Sequence, residues 1–187
     1  MIPSRWLMDL SIVFDDLTKV LNRLEGAEKI ISEEKENMAY EVGEIAADAM
    51  RSKIERSGTA FSRAAQKVGL NQGPGRIRDS KLYDSIDYEV FTYGDYASTE
   101  VGYLNDYEKY FEAQEGGFET GWKASYDRKG QLRLNKDGTP RVRFTGEMRK
   151  VRGIFALRAA KRAVDQEFSR LQKKYRSRVT KRINGSF

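Results

Sequence analysis

The sequence contains neither cysteine nor histidine. Without cysteine there is no disulfide and no thiolate metal site. Without histidine, the commonest general base and the commonest transition-metal ligand are gone. Catalysis would have to run on carboxylates, lysine, tyrosine or serine; glycoside hydrolysis, for one, needs only two carboxylates. Long apolar runs are lacking as well. No stretch approaches the roughly 18 apolar residues of a transmembrane helix, so no membrane contact is expected. The opening residues, MIPSRWLMDLSIVFDDL, place an aspartate inside the apolar stretch and show no small-residue cleavage site. No signal peptide is expected, and the cytoplasm is the expected place of synthesis.

What is present is charge. Of 187 residues, 39% are hydrophobic and 33% charged, which leaves a modest core and long solvated helices. The net charge of +6 conceals an asymmetry. Residues 141–187 carry 15 Lys and Arg against 3 acids, a balance of +12, and residues 1–140 carry 19 against 25, a balance of −6. A chain whose two parts differ in sign can engage copies of itself, acidic partners or nucleic acid.

The length suits a single domain over 1–187. Its parts read as an N-terminal helical region 9–56, a loop 57–80, a sheet core 81–117, a hairpin insertion 118–150 and a C-terminal helix 151–183. In the first region Val13, Leu17, Val20, Leu21 and Leu24 recur at helical spacing. Gly26 is a candidate break, and Ser32 with its following glutamates reads as a helix start. Met38, Val42, Ile45, Ala46, Ala49, Met50 and Ile54 then form one apolar stripe. GPG at 73–75 belongs to neither a helix nor a central strand, so 57–80 is expected to be a surface loop, with a turn or two of helix over Phe61–Val68. In KLYDSIDYEVF, Ile86, Tyr88 and Val90 alternate with acids, the period of a half-buried strand. YASTEVGYL returns as its hairpin partner, with Ala97, Thr99, Val101 and Tyr103 on one face. DYEKYFEA reads as a short helix ended by Gly116 and Gly117. QLRLNKDGTPRVRF signals a second, basic and exposed hairpin turning at Asp137-Gly138. In the last helix Ile154, Leu157, Ala160, Val164, Phe168, Leu171, Tyr175, Val179 and Ile183 make an apolar stripe opposite a basic face. The expected fold class is α+β: a small antiparallel sheet packed against a long N-terminal helix and a C-terminal basic amphipathic helix.

Several groups of residues invite chemistry. The basic face of the last helix, with Arg170, Lys173, Lys174 and Arg176, suits an acidic neighbour, a nucleic acid or plain solvation. No helix-turn-helix or zinc-finger spacing accompanies it. GLNQGPGRIR sets glycines beside arginines, as phosphate-binding loops do, but lacks the P-loop ending and the dinucleotide fingerprint. Glu108, Glu112 and Glu115 share a helical spacing that suits a hard cation or an acid–base pair, although solvation and pairing between subunits explain it as well. The aromatics of 83–111 serve either to bury a small sheet or to form an oligomer surface, where tyrosine is enriched. No cofactor site is read.

The order of the elements carries a resemblance. LYDSI is followed by a hairpin ending in VG, then DYEKYFEAQEGG, then a variable insertion, then a helix opening FALRAA. This resembles the tail-completion, or head–tail joining, proteins of long-tailed bacteriophages, including minor tail protein Z-like members. Their pattern runs L-x-x-S-I, V-G, Y-x-x-Y-x-E-x-G and F-L-R-P-A. Leu82, Ser85 and Ile86 match the first piece, and Val101 and Gly102 the second. Tyr107, Tyr110, Glu112 and the glycines at 116–117 match the third, with a longer spacing after Glu112. Phe155, Leu157, Arg158 and Ala160 match the last, with Ala159 in place of the proline. The resemblance covers about residues 35–117 and 150–180. It implies a structural, non-enzymatic virion protein of tail or neck, assembled in the host cytoplasm as a homo-oligomeric ring, usually six-fold. The other partners it implies are tail and neck proteins, with non-specific contact to DNA in the channel. Tyr107, Tyr110, Glu112 and Arg158, with Arg170, Lys173, Lys174 and Arg176, are then the candidate subunit or partner interface. The alternative is a small nucleic-acid-binding protein that uses the basic C-terminal helix.

Overall fold

A computed structural model describes residues 4–94, 96–103 and 108–185, with side chains apart from those of 4–20, 60 and 108–111. The fold is α+β, with a long N-terminal helix, a long C-terminal helix and two small antiparallel sheets. In chain order the elements are α1 (Ser4–Glu55), α2 (Ala60–Lys67), α3 (Lys81–Asp84), β1 (Ile86–Tyr93), β2 (Tyr96–Tyr103), α4 (Glu108–Gly116), β3 (Gly117–Ala124), β4 (Val142–Arg152) and α5 (Ala156–Gly185). β1 pairs with β2, and β3 with β4.

Two expectations need correction. Helix α1 is continuous through Gly26 and Ser32, because one glycine costs a helix only about 1 kcal/mol and the flanking residues on both sides are good helix formers. Residues 57–80 are a packed segment rather than a loose surface loop. Thr59 opens α2 with a capping box: its hydroxyl accepts the Ser62 amide, and the Ser62 hydroxyl accepts the Thr59 amide. Beyond α2, Asn71 and Gly73 are buried and Ile77 is fully buried. A Cβ on Gly73 would run into the backbone of Ile77 and Asp79, so the glycines permit close packing there.

The chain forms two compact units. One comprises residues 1–41, 90–98 and 168–187, and the other 42–89 and 99–167. In the second unit, Ala46, Ala47, Met50 and Ile54 of α1 join Ile77, Leu82, Ile86, Ile154, Ala156 and Ala160 in one apolar cluster. Tyr88, Val101 and Tyr103, from the expected inner face of the first hairpin, pack against it. Tyr88 packs against Gly43 of α1, where an added Cβ would collide with its ring. In the first unit Ile30 and Ala39 of α1 and Leu171 and Tyr175 of α5 are buried. The apolar stripe of α5 is therefore largely as expected, except that Leu157 and Phe168 are exposed.

Candidate functional site

Three arrangements of side chains stand out. The first, in the 1–41/90–98/168–187 unit, ties the basic face of α5 to the acidic face of α1. Glu41 accepts a hydrogen bond from Lys174 and lies 4.0 Å from the Arg170 guanidinium. The Tyr175 hydroxyl is 2.8 Å from the same carboxylate and 3.1 Å from the Asn37 carbonyl oxygen. Further along α5, Arg182 forks onto Glu33 at 2.6 Å and Glu34 at 2.9 Å. The Lys174 ammonium holds the Glu41 carboxyl below the usual range, and Arg182 does the same for Glu33. Desolvation and the neighbouring Glu41 carboxylate push the Tyr175 phenol up to about 12. Two candidate interface residues, Arg170 and Lys174, are thus matched to an acid of their own chain. Lys173 and Arg176 remain exposed and line a groove of about 530 Å³ with Ile31, Met38 and Val179.

The second arrangement, in the other unit, is centred on Glu115. Its two carboxylate oxygens accept the backbone amides of Ala156 and Leu157, each at 2.8 Å, and so cap the start of α5. The Tyr103 hydroxyl donates to the same carboxylate at 3.4 Å, and burial together with that charge pushes the Tyr103 phenol well up. The carbonyls of Gln114 and Glu115 accept the amides of Ile154 and Phe155. Arg76 closes the junction, donating to the Arg152 carbonyl at 2.5 Å and to the Gln114 carbonyl at 3.0 Å. Phe155 is held left-handed at φ 58°, a conformation that costs a non-glycine residue about 1–2 kcal/mol. Arg158 lies over its ring at 4.9 Å.

Glu112 is exposed on α4. The carboxylate that does the joining is Glu115, which the sequence grouped with Glu108 and Glu112 but which was not among the candidate interface residues. Its signal was present: it stands two residues before Gly117, the E-x-G spacing of the motif, whereas Glu112 matched only with a longer gap. Gly117 takes φ +91° and turns α4 directly into β3. Tyr107 lies outside the described residues, as does the side chain of Tyr110. Among the described residues no group of three or more carboxylates is placed to hold a metal ion, and no helix is long and apolar enough to cross a membrane.

The third arrangement is the β3–β4 ribbon. Its register runs from Gly117↔Arg152 to Thr120↔Arg149, then shifts at a bulge to Trp122↔Phe144 and Ala124↔Val142. Between the strands the chain folds back twice, through turns at Asp127–Gly130 and Asn135–Gly138. The expected Asp137-Gly138 turn is there, with Gly138 at φ +80° and the Asp137 carboxylate accepting from Thr139. Residues 117–153 carry ten Lys and Arg against four acids, as much net charge as the whole chain. The ribbon also exposes large apolar groups: Trp122 is 60% exposed, Phe144 58% and Met148 61%. The Trp122 and Phe144 rings meet edge to face at 5.5 Å, and Phe144 covers Gly121. Paired aromatics on a solvated, basic ribbon are costly to leave bare and suit contact with another macromolecule.

Comparison with protein-family models, with curated proteins and with solved structures finds no match to this chain.

Proposed function

We propose that the chain is a structural protein of a tailed-phage virion, completing the tail or joining tail to head as a homo-oligomeric ring. The order of the sequence motifs suggests the role. The observation that carries it furthest is the β3–β4 ribbon, a basic surface with Trp122, Phe144 and Met148 exposed on it. Ring closure needs a heterologous interface in which two different patches of one chain fit each other. The acidic counterpart is α1, whose residues 25–48 hold eight acids against two lysines. Among the described residues, Glu25, Glu28, Glu36 and Glu44 of that stretch lie outside the ion pairs with α5. The contact is therefore assigned to the ribbon, and the basic face of α5 has a smaller part than its charge suggests. The same pairing weakens the alternative, nucleic-acid binding through α5, because Arg170, Lys174 and Arg182 already face carboxylates of their own chain.

This reading needs no catalytic group and places the protein in the tail or neck of the particle. Electron microscopy of the purified protein tests it. Closed rings of uniform diameter, with usually six copies, are the expected result; dispersed monomers at every concentration would count against it.

A further inference from the structure

Beside the Glu115 junction lies a cleft of about 400 Å³ lined by Lys53, Arg56, Arg76, Arg152 and the Phe155 ring. Four cations converge on it from three separate segments: the end of α1, the 69–78 loop and the end of β4. Among the described residues that line it there is no carboxylate. Two of the cations are held in place. The Arg76 guanidinium is pinned by the carbonyls of Arg152 and Gln114, and Arg152 sits 6.0 Å from the Phe155 ring centroid. Phe155 itself is held in a left-handed backbone conformation, the kind of local strain that gathers at functional sites.

We propose that this cleft is a site for phosphate groups. Like charges brought together in a concave, partly apolar wall focus a positive potential on its mouth. Guanidinium forks match the planar spacing of phosphate oxygens, and three arginines with a lysine offer both fork and point charge. The GLNQGPGRIR segment thereby gains a role different from a nucleotide loop. Its glycines permit packing, and its Arg76 supplies a fixed charge to the wall. The proposal is independent of ring assembly. The phosphate has two sources, the backbone of duplex DNA or a free phosphate compound, and the test separates them.

The variant Lys53→Ala/Arg56→Ala/Arg152→Ala removes three of the four cations and leaves the Arg152 carbonyl for Arg76. A control of equal charge, Arg162→Ala/Lys173→Ala/Arg176→Ala, removes exposed cations of α5. Both are checked for fold by circular dichroism, with Arg56→Ala alone as the milder variant should the triple not fold. Binding to a 30-base-pair duplex is measured over a range of salt, and binding of inorganic pyrophosphate by calorimetry. If the source is DNA, the cleft triple falls about ten-fold or more in duplex affinity. Its salt dependence also flattens by about 0.9 for each phosphate that the cleft no longer neutralises, while the control changes far less. If the source is a free phosphate, only pyrophosphate binding disappears. Equal effects in cleft and control variants, or no binding of either probe by the unaltered protein, would overturn the site. Oligomeric mass, measured on the same samples, tells a failure of this site from a failure of assembly.

Discussion

Replacing Glu115 with alanine should be among the most damaging single changes outside the apolar core. The carboxylate satisfies the Ala156 and Leu157 amides at the open end of α5 and accepts the Tyr103 hydroxyl. Loss of such a cap costs about 1 kcal/mol. Loss of a negative charge at a helix N-terminus adds about 0.3–1 kcal/mol, and loss of the hydrogen bond from the Tyr103 hydroxyl about another 1 kcal/mol. The sum is about 2–3 kcal/mol. For a chain of this size that corresponds to a fall in Tm of about 5–10 °C. Glu115→Gln keeps one acceptor and loses the charge, so about half the effect is expected. Glu112→Ala, three residues earlier on the exposed face of α4, should shift Tm by no more than about 1 °C. Thermal unfolding of the three variants, followed by circular dichroism at neutral pH, gives the comparison. Equal shifts at Glu112 and Glu115 would show that the carboxylate does not hold the start of α5.

Gly43→Ala should destabilise by about 1–2 kcal/mol, because the new methyl displaces the Tyr88 ring and overpacking outweighs the gain in helix propensity. In a Tyr88→Ala background the same change should instead stabilise by up to about 1 kcal/mol, and urea unfolding of the four proteins reads the sign. The Tyr103 and Tyr175 phenols are raised above 10.0 in the folded state. Their contribution is therefore complete below pH 10 and lost as pH climbs towards the folded values; Tyr103→Phe should flatten the alkaline limb of a stability–pH curve. Glu33 and Glu41 are lowered from 4.5, so their contribution is present above that value and fades as pH falls below it; Glu41→Gln should flatten the acid limb. Limited proteolysis should cut first within 127–139, where the turns are exposed, and spare 71–77, where Asn71, Gly73 and Ile77 are buried; first cuts in the latter segment would contradict the packing described.

Much of the fold was legible because it rests on local periodicity. The alternation from Ile86 to Val90 gave the buried side of β1, and the stripe through Ala46, Met50 and Ile54 gave the core face of α1. The Asp137-Gly138 turn followed from its dipeptide. Features that depend on distant partners were less readable. Nothing local shows that Lys174 and Arg170 meet Glu41, more than 120 residues earlier, so a basic helix face looked available when part of it was already neutralised. GPG suggested a loose loop, yet the same glycines let backbone pack on backbone around Ile77. The candidate carboxylate was displaced by three residues for a similar reason. Glu112 and Glu115 have nearly the same helical surroundings in sequence, and only the return of the chain at Ile154–Leu157 distinguishes them.

Central to this account is ring assembly through the β3–β4 ribbon. The most direct test compares the native mass of the unaltered protein with that of Trp122→Asp/Phe144→Asp at moderate salt. Both rings are largely solvent-exposed, so the double variant should remain folded by circular dichroism. A single closed oligomer, usually of six chains, is expected for the unaltered protein and a monomer for the variant. A monomer in both cases, or the same oligomer in both, would contradict it.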